Sequence, residues 1–257
     1  MRILVIGAGK MGSFFTDLLS FNHEVAVLES DPKKLLFIYN ALRFTEYGQA
    51  KEFSPELVLN CVTLNKTIEA FEKIIPYINK QCIIADIASV KSGLKEFYQN
   101  CGFRYVSTHP MFGPTFANLG NLQQESAIII KESDYLGRIF FKNLFSTLKL
   151  NICEYTFEEH DKVVAYSLSI PFASTLVFAS IMKHQDAPGT TFKKHLAIAQ
   201  GLLSEDDYLL TEILFNPNTP EQLDKIIREL ERLLSIVNKH DSAGMRGFLD
   251  GVRKNLE

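Results

Sequence analysis

Residues 2–6, Arg-Ile-Leu-Val-Ile, form a short apolar run that breaks into Gly7-Ala8-Gly9-Lys10-Met11-Gly12, and an apolar-periodic segment follows through Leu19. A run of this kind suits a strand buried on both faces of a parallel sheet. Strand, tight turn and helix in that order is the setting in which Gly-x-Gly-x-x-Gly has a mechanical meaning. Gly7 permits the turn, Gly9 lets a phosphate approach the backbone, and Gly12 lets helix pack close on strand. The helix opening at Lys10 and Met11 then offers free amides to the same anion. The next expected strand, Glu24-Val25-Ala26-Val27-Leu28, ends in Glu29, 22 residues beyond Gly7 (29 − 7). A carboxylate there suits the ribose hydroxyls of a dinucleotide. Gly7, Gly9, Lys10, Met11, Gly12 and Glu29 are therefore the candidate cofactor-binding positions.

Strand and helix signals go on alternating. Asp31-Pro32 starts a helix over 32–39, a weak strand is expected near 41–44, and a firm one over Leu57–Val62. A helix over 66–78, a strand over 82–85, a helix after Ser89 and a strand at Tyr105-Val106 follow. Ser126–Lys131 and Leu150–Tyr155 read as strands flanking a helix over 134–148. This pattern predicts an α/β fold, a doubly wound Rossmann-type parallel sheet, in a dinucleotide-binding domain over residues 1–155. At Thr156 the strand signals stop. Thr156-Phe157-Glu158-Glu159 is a capping box. It opens a nearly all-apolar helix through about Met182, expected to be buried on all sides and kinked at Pro171. Helices over 192–203, 205–214, from Thr219, and over 241–254 complete an all-α domain over 156–257. The Thr219 helix carries an apolar stripe of Leu223, Ile226, Leu230, Leu233 and Val237. The long apolar helix is the expected core of a dimer interface.

Polar residues gather at two expected strand ends. Asp86-Ile87-Ala88-Ser89-Val90-Lys91 follows one strand, and Thr108-His109-Pro110-Met111-Phe112-Gly113-Pro114 follows the next. In an open parallel sheet ligands bind just outside the carboxyl ends of the strands. Ser89, Lys91 and His109 are thus expected to converge on one pocket, where a hydroxyl, a cation and an imidazole suit proton handling beside an anionic substrate. Plainer readings stand beside this one. Ser89 fits a helix N-cap, Asp86 a turn, and His109 a structural role in a loop fixed by proline and glycine.

The formal net charge of −3 argues against a nucleic-acid surface. The four cysteines, Cys61, Cys82, Cys101 and Cys153, lie far apart, which suits buried thiols rather than a metal site. No basic leader with an apolar signal region precedes the first strand, and no apolar run was expected to reach the length of a membrane span. A cytoplasmic protein with no membrane partner is the expectation.

With these residues in view, the chain resembles the prephenate dehydrogenase family over nearly its whole length. The resemblance rests on Gly7–Gly12, Asp86–Lys91, His109–Pro114 and Glu159-His160-Asp161, in that order. It implies NAD as cofactor, a helical dimerisation domain, and conversion of prephenate to 4-hydroxyphenylpyruvate with loss of carbon dioxide. It implies that His109 is catalytic and that Ser89 assists it. Two positions depart from the pattern. Phe172 stands where the family usually has a substrate-side histidine, and Gly201 where relatives have an arginine for the ring carboxylate. Lys193, eight positions before Gly201, is kept and is the first candidate substitute, with Lys194, His195 or a residue of a partner subunit as the alternatives, and Lys91 is a further substrate-binding candidate. No chorismate mutase segment or regulatory domain is expected in this chain. The alternatives are an enzyme acting on arogenate, the amino counterpart of prephenate, or a non-catalytic NAD-binding sensor.

Overall fold

The computed structural model describes residues 1–113 and 120–256. Pro114, part of the loop motif above, lies outside the described residues. Two compact units are formed, Met1–Asp161 with Glu205–Leu210, and Lys162–Ser204 with Thr211 onward.

The first unit runs β1 Arg2–Ile6, α1 Lys10–Ser20, β2 Glu24–Leu28, α2 Pro32–Leu35, β3 Leu42–Phe44, α3 Gln49–Phe53, β4 Leu57–Asn60, α4 Thr67–Ile74, β5 Ile83–Asp86, α5 Leu94–Asn100, β6 Arg104–Pro110, β7 Ser126–Ile130, α6 Tyr135–Thr147, β8 Asn151–Tyr155 and the start of α7, Phe157–Val164. The strands form one sheet in the order β3-β2-β1-β4-β5-β6-β7-β8. The order in which strands are added reverses between β1 and β4, which run parallel, and this creates the crevice where such sheets take their ligands. Ile3, Leu4, Val5 and Ile6 are all buried, and Phe15, Phe141 and Phe145 are fully buried in the same core. A strand covered on both faces explains why these runs are continuously apolar rather than alternating.

Two expectations change here. The sheet is parallel except at β6–β7, where Thr108, His109 and Pro110 face Ile129, Ile128 and Ala127 in antiparallel register. Among the described residues no helix lies between these strands, and a connection without a crossover helix allows the antiparallel return. His109 is therefore not in a loop but near the end of β6, held by ladder partners. The helix expected directly after Ser89 begins only at Leu94, with Gly93 as its N-cap in left-handed conformation at φ 73°. Ser89 is not that helix's cap.

The capping box at Thr156 forms as expected, with Glu159 N donating to Thr156 Oγ1 at 3.1 Å and Thr156 N donating to Glu159 Oε2 at 2.7 Å. Beyond α7 the chain makes one wide π-type turn, Ala165–Ser169, and continues as α8 Ile170–Ile181. Proline has no amide to donate and its ring crowds the carbonyl four residues back, here Ser167. The predicted kink at Pro171 is taken up by that widened turn. α9 Thr190–Leu202, α10 Asp207–Leu214, α11 Thr219–Asn238 and α12 Ser242–Lys254 follow. Within the second unit Ser169 Oγ meets Thr219 Oγ1 at 2.8 Å and donates to Ile213 O at 3.1 Å, and Phe178 packs edge-on against Phe192.

The long apolar helix is not buried on all sides. No residue of α8 is buried in the single chain, and Val177 and Ile181 are 57% and 74% exposed. On α11, Leu230 and Val237 of the expected stripe are also exposed, while Leu223, Ile226 and Leu233 are half-buried. The expectation about membrane spans changes too. Phe157–Ile181, 25 residues containing a window of mean hydropathy 1.6, is long and apolar enough to cross a bilayer by length and composition. Its polar content is high for that role. Ser167, Ser169, Ser174, Thr175, Ser180 and Pro171 lie in it, and Ser169 is bonded to neighbouring helices as described.

Candidate functional site

The glycine turn has the geometry its spacing predicts. Gly7 adopts φ +97°, a conformation side chains rarely take. A Cβ on Gly12 would lie 1.9 Å from Gly7 O, so only hydrogen fits between α1 and the turn. A Cβ on Gly9 would meet nothing within 4 Å. The turn is thus open where a diphosphate would approach and closed where helix meets strand. Glu29, at the end of β2, is nearly buried. Its Oε2 accepts from Ala8 N at 3.0 Å, and its Oε1 accepts from Asp31 N at 3.0 Å and Ser30 Oγ at 3.1 Å. Burial pushes this carboxyl up, but the two amide hydrogen bonds, with Lys34 and Ser30, outweigh it and leave the pKa below its ordinary value. Gly7, Gly9, Glu29, Ser30, Lys34, Val62, Thr63 and Lys66 line a cavity of about 330 Å³ at the switch point of the sheet. These residues fit an adenine dinucleotide: an amide-lined turn for the diphosphate and an anionic acceptor for ribose hydroxyls.

A second cluster sits at the ends of β5 and β6. Asp86 is fully buried. Its Oδ1 accepts from Lys91 Nζ at 2.6 Å and Ala88 N at 2.9 Å, and its Oδ2 accepts from Tyr98 Oη at 2.7 Å. Lys91 also donates to Thr108 O at 2.7 Å. Burial lowers the Lys91 pKa, and the Asp86 carboxylate works against that shift.

Beside this network two buried imidazoles face each other. His109 Nδ1 lies 3.0 Å from His160 Nε2, and His160 Nδ1 lies 3.1 Å from Asp161 Oδ1. Burial pushes the His109 imidazole well below its ordinary 6.5, and His160 and the Lys91 ammonium push the same way. His160 is also lowered, by burial first and by Lys91, while the carboxylates of Asp161 and Asp86 pull against the shift. Both rings are neutral at pH 7, so each carries one N–H and one nitrogen lone pair.

Residues 37–134 match the family model described as prephenate dehydrogenase, nucleotide-binding domain. A probable arogenate/prephenate dehydrogenase of Methanocaldococcus jannaschii is 20% identical over 271 residues, covering 98% of this chain and 60% of that protein. The prephenate dehydrogenase of Aquifex aeolicus, solved with hydroxyphenyl propionate and NAD+, is similar with a TM-score of 0.84 at 19% identity, over 99% of this chain and 96% of that one. The Synechocystis arogenate dehydrogenase is similar with a TM-score of 0.76 at 16% identity, over the full length of both chains. Residues 37–134 are thus similar to the nucleotide-binding domain of the prephenate dehydrogenase family, and the fold of the chain is that of the solved prephenate and arogenate dehydrogenases. It spans about three fifths of the length of its Methanocaldococcus relative.

The expected site residues separate into groups. The glycine turn and Glu29 come together around one cavity. Lys10 and Met11 open α1, and Lys10 is exposed. Ser89 is half-buried in the segment between β5 and α5. Lys91, expected to meet substrate as a pocket cation, instead has its ammonium buried between Asp86 and Thr108. Lys193 is exposed near the start of α9, in the second unit, with Gly201 later on that helix and Phe172 on α8. The sequence marks His160 only as part of the Glu159-His160-Asp161 motif and assigns it no role. Its signal was its place on the buried stripe Phe157, His160, Val164, where a histidine at helical spacing needs an internal partner.

Proposed function

We propose that the chain catalyses NAD-dependent oxidative decarboxylation of prephenate to 4-hydroxyphenylpyruvate. The observation that carries this reading is His109, buried, neutral and fixed near the end of β6 in a nucleotide-binding family fold. NAD, when bound, supplies the acceptor for the hydride leaving the hydroxyl-bearing ring carbon. His109 takes the hydroxyl proton as the carbonyl develops, and Ser89 orients the imidazole or the hydroxyl. Loss of the ring carboxylate as carbon dioxide then makes the ring aromatic. Reduction of NAD on adding prephenate tests the reading, and its absence would overturn it. A second reading has its own support, because the Synechocystis enzyme similar over its full length is an arogenate dehydrogenase. Rates with the two substrates separate them.

Cofactor choice follows from Glu29. Three of the roughly four acceptor sites on a carboxylate are already used by Ala8, Ser30 and Asp31. The remaining site suits a ribose hydroxyl, and the negative charge repels a 2′-phosphate. The expected result is a kcat/KM for NAD well above that for NADP. Equal values would mean that Ser30 and Lys34 hold a phosphate instead.

Lys193 is our candidate for holding the ring carboxylate, because position 201 offers no cation. Lys193→Ala should raise KM for prephenate and leave the affinity for NAD unchanged. An unaltered KM would exclude it. The partner proposed for the exposed faces of α8 and α11 is a second copy of this chain. An isolated helical unit that leaves Val177, Ile181, Leu230 and Val237 in water gains from covering them. Light scattering at micromolar concentration should return a dimer, and a monomeric mass would contradict it.

A further inference from the structure

We propose that Asp161 and His160 are positioning residues that fix the tautomer of His109 and draw charge from it when it accepts a proton. The proposal deepens the dehydrogenase reading and rests on it for the identity of the proton donor.

The chain of contacts leaves one consistent proton arrangement. An ionised carboxylate only accepts, so at the 3.1 Å contact His160 Nδ1 carries the hydrogen. A neutral imidazole has one N–H, so His160 Nε2 carries a lone pair. At 3.0 Å from it, His109 Nδ1 must then be the donor. His109 Nε2 is left with its lone pair, which is what a base requires. Without Asp161 either tautomer of His160 is open, and the one protonated on Nε2 would force His109 to present an N–H to substrate.

The same contacts give a route for charge. The substrate O–H bond breaks as an N–H bond forms on His109 Nε2. The His109 Nδ1–H bond breaks as one forms on His160 Nε2. The positive charge then lies on His160, whose Nδ1–H stays bonded to the Asp161 carboxylate. The substrate C–H pair leaves as hydride to the nicotinamide, so two electrons and one proton are accounted for. When carbon dioxide departs, its bonding pair aromatises the ring and places a negative charge on the ring oxygen. The reverse shift returns the proton there. The groups facing this pair are Lys91 from the β5–α5 segment, Asp86 from β5 and Asp161 from α7. Lys91 disfavours charge on either ring, and the carboxylates favour it on His160. The gradient therefore runs from His109 toward His160.

The test is ¹⁵N NMR of histidine-labelled protein without substrate, with His109→Gln and His160→Gln used to assign the two rings. The expected spectrum shows both histidines in the Nδ1–H form at neutral pH. Asp161→Asn should move a measurable fraction of both to Nε2–H and lower kcat about 10²-fold, the low end for a base held in the wrong state, with KM nearly unchanged. His160→Gln keeps an amide oxygen as acceptor for His109 Nδ1–H and should retain more activity than His160→Leu. An Nε2–H form of His109 in the unmodified protein would overturn the proposal, as would an Asp161→Asn spectrum identical to it. The NMR result is independent of substrate. Correct tautomers in a protein that does not oxidise prephenate would support the positioning and reject the substrate.

Discussion

His109→Asn is expected to lower kcat by about 10²–10⁴, the range for losing a positioned general base, or about 2.7–5.4 kcal/mol of transition-state stabilisation. Asparagine keeps some hydrogen bonding but cannot take a proton. NAD affinity should stay the same, because the binding contacts proposed for the dinucleotide are Gly7–Gly12 and Glu29, not His109. The pH profile gives a second measure. Burial, His160 and Lys91 depress the His109 pKa below its ordinary 6.5. A depressed value means the neutral, working form persists to lower pH. In the free enzyme kcat/KM should thus be level from about pH 6.5 through neutrality and fall only as the medium becomes more acid. Near-normal kcat in His109→Asn, with an unchanged acid limb, would place the chemistry on another residue.

Lys91→Met is expected to destabilise the first unit by about 3–5 kcal/mol, the cost of leaving one member of a buried ion pair alone. Asp86 would keep the Tyr98 hydroxyl and the Ala88 amide but lose its counter-charge. At about 2–4 °C per kcal/mol for a unit of this size, the thermal midpoint should drop by roughly 6–20 °C. Removing the ammonium also removes a charge that holds both imidazoles down, so the acid limb of activity should move to higher pH. Thermal scans and the pH profile of the folded fraction check both. A midpoint within a degree of the parent would show that Lys91 is not the counter-charge of Asp86.

The sequence disclosed whatever is fixed by residues that are close along it. The glycine turn was legible because φ +97° at Gly7 and the 1.9 Å clearance at Gly12 each demand glycine. The capping box at Thr156 was legible because both partners lie within one turn. Strand direction is not legible, since an apolar β-branched run reads alike either way, and so the antiparallel β6–β7 pairing that places His109 in a strand cannot be read from the sequence. The contact of His160 with His109 is not legible because the two lie 51 residues apart. The role of Lys91 is not legible because a lysine in a sequence does not show whether its counter-charge, here Asp86, is internal. α8 was expected to be buried because composition says that a surface wants covering without saying what covers it.

β6 belongs to two ladders at once. Its first half runs parallel to β5 and its last three residues run antiparallel to β7. The backbone of His109 is therefore stitched on by main-chain bonds rather than steadied by a closing lid. Its positional entropy is lost when the sheet assembles, before any ligand arrives, and substrate need not restrain it again. The arrangement also makes the chemistry sensitive to distant edits. A slip of one residue between β6 and β7 would turn the side chains of Ser126–Ile130 to the opposite face of the sheet and change what packs beside His109. Variation along Ser126–Ile130 can therefore disturb His109 without replacing it.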